Sequence, residues 1–434
     1  MRTLHVRCHP AVLVPALLGG AALAQTTERV SVATGGAPAD SYSSSPAISA
    51  DGRFVAFVSR ATNLDPADTS SEADVWLRDL ATGTTELVSV ALGGASGDRG
   101  SYQPALSSDG RYVAFTSFAT DLVAGDRNRR NDVYRRDRRL GRTERVSLDA
   151  AGLEVREHCE APAISADGRH VSFQSLASNL VAGDTNGELD VYLKDLATGA
   201  IERVSVGTGG IEGHGPSGPR SALSADGRFV AFTSAAPDLV AGDTNGDEDV
   251  FLRDRWLGKT VRVSVATDGA QADFNSALAS MSADGRFVAF VTSSAQLVPG
   301  DANAAEDVFL RDVVAATTER VSLGAGGIEG DGDSPTASIS ADGRYVAFAS
   351  WSTTFGTAGL PGRAQVYLRD RRVATTAIIS MSSAGVAGND DSAFPAMSAD
   401  GRRIVFVSFA TNLVPLDQNG FEDAFVHDRG TALR

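Results

Sequence analysis

The chain has 434 residues, of which 42% are hydrophobic, and its formal net charge at pH 7 is −15. An apolar content of this size is adequate to stabilise a fold by burial. The negative charge repels phosphate backbones and anionic lipids, so we expect neither a nucleic-acid partner nor a membrane-surface partner.

Residues 1–24 have the layout of a secretory signal peptide. They begin with two arginines, continue with an apolar run and end in Ala-Leu-Ala. The run is too short and too broken to span a membrane, and no later segment is long enough either, so we expect no membrane insertion. Cys8 leaves with this segment and Cys159 stays alone, which excludes an internal disulfide. We therefore expect an exported protein, periplasmic or secreted, with a net charge of −17.

A tetrapeptide repeats along the rest of the chain. Ala-Asp-Gly-Arg, once Ser-Asp-Gly-Arg, recurs seven times at spacings of 58 or 59 residues. Its aspartates are Asp51, Asp109, Asp167, Asp226, Asp284, Asp342 and Asp400. Seven such units fill residues 25–434 as a single domain, since they leave nothing over for a second one.

Each unit contains four strand signals, which we name A to D in chain order. Strand A is a short segment such as "PAIS" before the Asp-Gly turn, and strand B is the "RFVAFVS" run after it. Strand C is "DVFLRD" or a variant, and strand D is "TERVSV". Asp-Gly between apolar runs is a hairpin signal. Strands B and C are apolar at successive positions and should be covered on both faces, whereas the alternation in strand D suits an outer strand.

These units predict an all-β fold, a seven-bladed β-propeller with four-stranded blades. An open stack of the same sheets would leave two bare apolar end faces. The sequence after residue 24 opens with "TTERVSV", a D strand with no A strand before it, and the last unit stops after its C strand. The N-terminal strand should therefore complete the last blade and close the ring.

The "ISADGRFVAF" units resemble the repeats of TolB-type, WD-repeat-like bacterial β-propellers. In that family a Ser-Pro-Asp-Gly turn precedes an apolar strand, and here Ala or Ser stands in place of the proline in all seven units. The resemblance covers the whole chain after residue 24 and implies the propeller fold.

The loops between strands B and C are acidic and are the candidate metal sites. The pattern Asp, any residue, Asn, three residues, Asp recurs in five units, is looser at Asp68 and is lost in the sixth unit. In the third and fourth loops, oxygen-bearing side chains occupy alternate positions, as they do in calcium loops. These side chains belong to Asp184, Asn186, Glu188 and Asp190, and to Asp243, Asn245, Asp247 and Asp249.

A turn without metal is the alternative for these loops, because Asp and Asn side chains build turns by bonding to nearby backbone. Charge distinguishes the loops, since converging carboxylates repel unless a cation lies between them. The second loop carries Arg127, Arg129 and Arg130, whereas the fourth has no base before Arg253. The third and fourth loops are therefore the candidates for structural Ca²⁺, with the metal-free turn as the open alternative, and the second loop is not a candidate.

Candidate catalytic groups are few. The histidines after residue 24 fall in different units without metal-ligand spacing, and neither G-x-S-x-G nor H-E-x-x-H occurs. Glu157, His158 and Glu160 form the one acid/base cluster. We expect Cys159, between them, to be a packed thiol.

The B–C loops and the D–A connections share one end of the predicted ring, and variable loops on a constant scaffold are where recognition usually occurs. The sequence favours a non-catalytic, monomeric propeller that binds a protein or glycan through this acidic face. The alternative is a secreted polysaccharide hydrolase or lyase that uses Glu157, His158 or the acidic loops as acid/base groups.

Overall fold

The computed structural model describes residues 25–66, 68, 70–356 and 362–430, so the signal peptide predicted for residues 1–24 lies outside the described residues. The chain forms seven four-stranded antiparallel sheets arranged in a ring, which confirms the predicted seven-bladed β-propeller. The one helical element in the described part is a 3-10 turn, Ala325–Gly327. No helix in that part has the length and apolar character needed to cross a bilayer.

The strands follow the predicted order in every blade. The A strands, which line the centre, are Ser43–Ile48, Ser101–Leu106, Cys159–Ile164, Ser217–Leu223, Ser276–Met281, Thr336–Ile339 and Ser392–Met397. The B strands are Phe54–Ser59, Tyr112–Ser117, His170–Ser175, Phe229–Ser234, Phe287–Thr292, Tyr345–Ser350 and Arg403–Ser408.

The two outer strands complete each blade. The C strands are Asp74–Asp79, Asp132–Asp137, Asp190–Asp195, Asp249–Asp254, Asp307–Asp312, Gln365–Asp370 and Asp423–Asp428. The D strands of blades 1 to 6 are Thr84–Leu87, Arg142–Arg145, Ile201–Arg203, Lys259–Arg262, Thr317–Arg320 and Thr375–Ile378.

The ring closes through the N-terminal strand, as predicted. Thr26–Arg29 pairs antiparallel with Asp423–Asp428, with Thr27 opposite His427, and so serves as strand D of blade 7. Without this strand, strand C of blade 7 would present a free edge of unpaired N–H and C=O groups.

The hydrophobic core lies between the blades. Strand B of blade 2, "YVAFTS", is buried at five of its six positions, since both of its faces are covered by neighbouring blades. Phe115 on this strand stacks on Tyr134 of strand C with ring centroids 5.8 Å apart. Both rings belong to one buried cluster with Ala56 and Val75 of blade 1. Strand D of blade 1 alternates between exposed and buried positions, as an outer strand should.

Two rings of backbone hydrogen bonds join the blades. At one end, a residue at or just before the start of each A strand donates its N–H to the residue that precedes strand C of the previous blade, for example Ser101 to Ala73 at 2.7 Å. At the other end, one residue of each Asp-Gly turn donates to the same turn of the next blade, from Ala50 to Ser108 and around until Ala399 donates to Ala50. These bonds hold the A strands at fixed spacing around the centre.

The repeated tetrapeptide builds the second of these ends. Asp51 Oδ1 accepts hydrogen bonds from Ser49 Oγ at 2.5 Å and from the Arg53 N–H at 2.9 Å. The Arg53 guanidinium clamps Asp79 at the end of strand C with two bonds of 2.9 and 2.6 Å. The glycine is required because its φ is positive, for example +64° at Gly110, and because a Cβ there would collide with the Phe54 ring of the neighbouring blade.

Candidate functional site

Asparagine side chains close the acidic loops of blades 3 and 4. Asn186 Oδ1 accepts the N–H of Glu188 at 3.0 Å, and its Nδ2 donates to Asp190 Oδ2 at 3.1 Å. Asn245 makes the same two bonds with Asp247 and Asp249, at 3.3 and 3.4 Å. Each asparagine oxygen is therefore engaged in the local turn, which is the role expected without metal.

The aspartate that opens strand C is buried, and it accepts a hydrogen bond from a serine that lies just after strand D. Asp190 Oδ1 accepts a hydrogen bond of 2.5 Å from Ser205 Oγ, which in turn accepts the Val191 N–H at 3.0 Å. Burial raises the pKa of Asp190, and it raises the pKa of Asp249 in the same way. This aspartate is thus part of the scaffold of its blade.

An arginine from strand D lies between the two aspartates of each of these loops. In blade 3, Arg203 Nη1 lies 3.2 Å from Asp184 Oδ1 and 3.0 Å from Asp190 Oδ2. In blade 4, Arg262 Nη1 lies 3.7 Å from Asp243 and 3.3 Å from Asp249. The structure therefore brings together the first and last predicted ligands of each loop, around a guanidinium that the loop sequence does not reveal.

The third predicted ligand of each loop, Glu188 in blade 3 and Asp247 in blade 4, is placed differently. Both side chains are half-buried, and no ion pair between described residues involves either of them. They stay outside the arginine clusters.

The same cluster recurs in three more blades, with the pairs held by Arg145, Arg320 and Arg29. In blade 5, carboxylate oxygens of Asp301, Asp307 and Glu329 lie within 4.8 Å of one another, close enough to hold a metal ion. Arg320 Nη1 reaches all three, at 3.1, 3.2 and 2.5 Å. Burial raises the pKa of Asp301 to about 6, because desolvation disfavours its charged form. The positive charge of Arg320 offsets part of this unfavourable desolvation.

A cavity of about 370 Å³ lies among the A strands at the centre of the ring. Its lining is mostly Ser, Pro and Ala, together with Gln103, Thr336 and Phe394. Arg220 is the one charged side chain in this lining; it is exposed, and no ion pair between described residues involves it. Gln103 Oε1 is engaged, since it accepts bonds from Thr116 Oγ1 at 2.9 Å and from the Ala161 N–H at 3.0 Å.

Exposed aromatic and aliphatic side chains surround the cavity at the B–C loop end. The first residue after strand B and the residue before strand A are joined there by a backbone hydrogen bond, for example Phe118 N–H to Gly100 O at 3.0 Å. Five consecutive blades, 6, 7, 1, 2 and 3, place large side chains at one of these two positions. We call this set, with Phe394 of the cavity lining, the aromatic arc: Trp351, Phe409, Phe394, Tyr42, Phe118 and Leu176.

Each member of the aromatic arc is more than a third exposed. Tyr42 also lies under the Arg60 guanidinium, 5.8 Å from its ring centroid. In blades 4 and 5 the position after strand B holds the small residues Ala235 and Ser293. Sequence reasoning missed this arc because its members are scattered over five repeats, although the variation at the position after strand B, which holds four of the six, was a usable signal.

The predicted acid/base cluster lies at the interface of blades 2 and 3 and is engaged in holding it. His158 Nδ1 accepts the Asn131 N–H at 3.0 Å, and Glu160 Oε1 accepts a bond from Asn131 Nδ2. Glu157 lies 3.8 Å from Arg130. The structure brings the three predicted residues together, but their side chains contact Arg130 and Asn131 of the B–C loop of blade 2.

Cys159 is fully buried, as expected, and burial raises the pKa of its thiol. The thiolate form that reacts as a nucleophile is therefore disfavoured.

The chain matches no protein-family model, and no curated protein matches it. Solved structures do. An oligogalacturonate lyase in complex with manganese is 12% identical, with a TM-score of 0.56 over 94% of this chain and 97% of that one. An acylaminoacyl peptidase from Pyrococcus horikoshii is 13% identical, with a TM-score of 0.54 over 89% of this chain and 51% of that one.

TolB from Acinetobacter baumannii is 16% identical, with a TM-score of 0.41 over 82% of this chain and 76% of that one. Identities this low indicate a shared fold and nothing about shared chemistry. The propeller fold that the TolB-type resemblance implied is confirmed, and the WD-repeat-like part of that label stays a prediction. The chain is a seven-bladed β-propeller, and its fold is similar to those of the lyase and the peptidase.

Proposed function

We propose that the protein is an exported, non-catalytic β-propeller that binds a protein partner at the B–C loop end, through the aromatic arc and the central cavity. The observation that carries this proposal is the arc itself, a run of exposed large side chains across five consecutive blades at one end of an acidic protein. Export is inferred from residues 1–24 alone.

The composition of the arc favours a protein partner. Trp, Tyr, Phe and Arg are the residue types enriched in the buried centres of protein interfaces, where they contribute most of the binding energy. Trp351, Phe409 and the stacked Tyr42–Arg60 pair supply these types. In blades 2, 3 and 7 the outer aspartates of the B–C loops are paired with internal arginines, so we expect these acids to contribute less to recognition than the acidic sequence indicated.

The cavity chemistry favours binding over catalysis. General acid–base catalysis needs a titratable group within hydrogen-bond reach of the substrate. In the described lining, Arg220 is the one charged group, and arginine stays protonated at all ordinary pH values. An unpaired guanidinium instead suits a carboxylate of the partner, an acidic side chain or a chain terminus. This lining therefore supports binding better than it supports the hydrolase or lyase alternative.

Calcium in the third and fourth loops remains a prediction. Arg203 and Arg262 already supply positive charge between the outer carboxylates, so an ion bound there would rest on Glu188 and Asp247. If calcium binds there, the difference in melting temperature between excess Ca²⁺ and chelator should shrink in the Glu188→Gln/Asp247→Asn variant.

The proposal is tested by capture and calorimetry. Proteins from the extracytoplasmic fraction of the source cells are captured on the immobilised mature chain, and the purified partner is titrated against three forms. We expect Trp351→Ala/Phe409→Ala to weaken binding by about tenfold or more. The matched control is Trp256→Ala, which removes a tryptophan that is more exposed than Trp351, in the C–D turn of blade 4 at the opposite end.

Three outcomes would contradict the proposal. The first is equal weakening by the arc variant and by the Trp256 control. The second is binding of a purified glycan in place of any protein, with the same dependence on the arc. The third is turnover of an acidic polysaccharide that is lost in Arg220→Gln.

A further inference from the structure

Blade 1 lacks the strand D arginine that lies between the aspartates of the other acidic loops. In blades 2, 3, 4, 5 and 7, strand D places an arginine opposite the central aromatic residue of strand C, as Arg145 lies opposite Tyr134. In blade 1 the same register places Leu87 opposite Trp76. The cation that balances the loop in five blades is therefore replaced by an aliphatic side chain.

The acids of blade 1 are nevertheless retained. Asp68 and Asp74 stand six residues apart, the same spacing as the aspartates of the five arginine-bearing loops. Blade 6 shows the other solution, because it has Ile378 in place of the arginine and Gln365 in place of the strand C aspartate, and its loop "AGLPGRAQV" contains no acid. Each of the other blades thus has both charges or neither, and blade 1 alone keeps the negative pair without the arginine.

Both carboxylates of blade 1 are buried, and each has one oxygen without a partner. Asp74 is fully buried and Asp68 is 9% exposed. Asp74 Oδ1 accepts a bond of 2.6 Å from Ser89 Oγ, and Asp68 Oδ1 accepts the Ser70 N–H at 3.0 Å. The Oδ2 atoms of both residues have no hydrogen-bond partner, and no ion pair between described residues involves either carboxylate.

A buried pair of carboxylates is unfavourable without positive charge, because desolvation and mutual repulsion act together. The indole N–H of Trp76 is also buried without a partner, but one neutral donor cannot balance two negative charges. The available ligands are all oxygens: the two carboxylates and the nearby hydroxyls of Ser70 and Ser96, of which Ser96 hydrogen-bonds to Asp68. Hard divalent cations prefer such oxygen ligands.

We propose that Asp68 and Asp74 bind a divalent cation of the calcium class, at the place that a guanidinium occupies in five other blades. Two carboxylates neutralise the two charges of the ion, and water completes the roughly six to eight oxygen ligands that Ca²⁺ takes. The site is structural, since it joins the B–C loop of blade 1 to the buried start of strand C.

The test is a melting and titration series on the mature full-length chain after chelator treatment. Ca²⁺, Mg²⁺ and Mn²⁺ are added separately, and binding is followed by calorimetry. We expect Ca²⁺ to bind and to raise the melting temperature by about 2 °C or more at concentrations well above its Kd. Measured in the Glu188→Gln/Asp247→Asn background, in which the third and fourth loops contribute no calcium response, both effects should disappear in Asp74→Asn. They should also disappear in Leu87→Arg, which restores the arginine of the other blades and should match or exceed the metal-free stability of the wild type.

The matched control is Asp132→Asn, the same change at the same repeat position of blade 2, where Arg145 is present. It should keep the blade 1 calcium response whatever its own effect on stability. The proposal is overturned if none of the three ions binds or shifts the melt, which would mean that the pair shares a proton instead. It is also overturned if, in that background, the calcium response survives in either Asp74→Asn or Leu87→Arg, since binding would then occur elsewhere.

Discussion

Single residues decide how each blade handles its acidic loop. Arg203 lies among Asp184, Asp190 and Glu212, and its side chain is almost wholly buried. Removing one partner from a buried ion cluster leaves uncompensated charge, which costs more than the cluster itself contributes. Buried aspartates at these two positions therefore need a counter-charge, which the arginine supplies. Blade 6 has neither the aspartates nor the arginine.

We expect Arg203→Leu to destabilise the protein by about 3–5 kcal/mol, because it leaves Asp184 and Asp190 buried without a counter-charge. Thermal and denaturant melts measure this loss. The control copies blade 6: Arg203→Ile combined with Asp184→Gly and Asp190→Gln should recover a large part of the stability. A triple variant less stable than Arg203→Leu would contradict this explanation.

At the scale of the element, strand C of blade 7, which pairs with the closing N-terminal strand, has a histidine where the other blades have a long cation. The fifth residue of strand C is Arg or Lys in blades 1 to 6, and Arg253, for example, bonds Thr260 Oγ1 and the Gly207 carbonyl. In blade 7 it is His427, whose Nδ1 lies 2.8 Å from Thr27 Oγ1 on the N-terminal strand.

This histidine makes the closure sensitive to acid. Burial lowers the pKa of His427 from 6.5 to about 4, so the fold favours its neutral form. The unfolded chain takes up a proton near pH 6.5, and the folded chain does so only near pH 4. Stability is therefore fully present above pH 6.5 and falls by about 3 kcal/mol as the pH drops through this window.

The measurement is the melting temperature between pH 7 and pH 4, compared with that of His427→Arg. The variant restores the residue found in other blades and should lose the part of the pH dependence that this histidine contributes. An unchanged pH profile in His427→Arg would contradict the assignment.

The strands themselves follow closely from the sequence. Asp-Gly turns and continuous apolar runs are local signals, and strands A, B and C of every blade lie where these signals predict them. The D strands overlap the start of the predicted segment but end before its Val-Ser-Val run, as Thr26–Arg29 does. Val30 and Ser31 are both fully buried, so the predicted alternation does not continue there. The bulges of the A strands were not predicted, such as the one between Ser44 and Ala47, because they depend on how each strand meets the centre of the ring.

At the scale of the whole molecule, stability depends on a closed ring. Deleting residues 25–42 removes strand D of blade 7 and exposes the edge of Asp423–Asp428. We expect this deletion to lower the melting temperature strongly and to promote association, as measured by thermal melts and size-exclusion chromatography. Appending the same residues after Gly430 should restore a monomeric, stable protein, since the strand then re-forms from the other terminus.

A deletion that leaves melting temperature and elution volume unchanged would show that the N-terminal strand is not needed for closure. The variant with the appended residues is the control, because removing any strand lowers the buried apolar area and so destabilises the protein. Recovery through the appended copy separates the closure of the ring from the general loss of residues.

The sequence by itself determined the repeat, the strand order, the number of blades and the way the ring closes, because each depends on local patterns at a fixed spacing. Only the tertiary structure decided what the acidic loops contain and what surrounds the central cavity. Arg203 meets Asp190 from thirteen residues away through the pairing of strands C and D. The aromatic arc gathers side chains from five blades, so ring geometry brings its members to one end of the molecule.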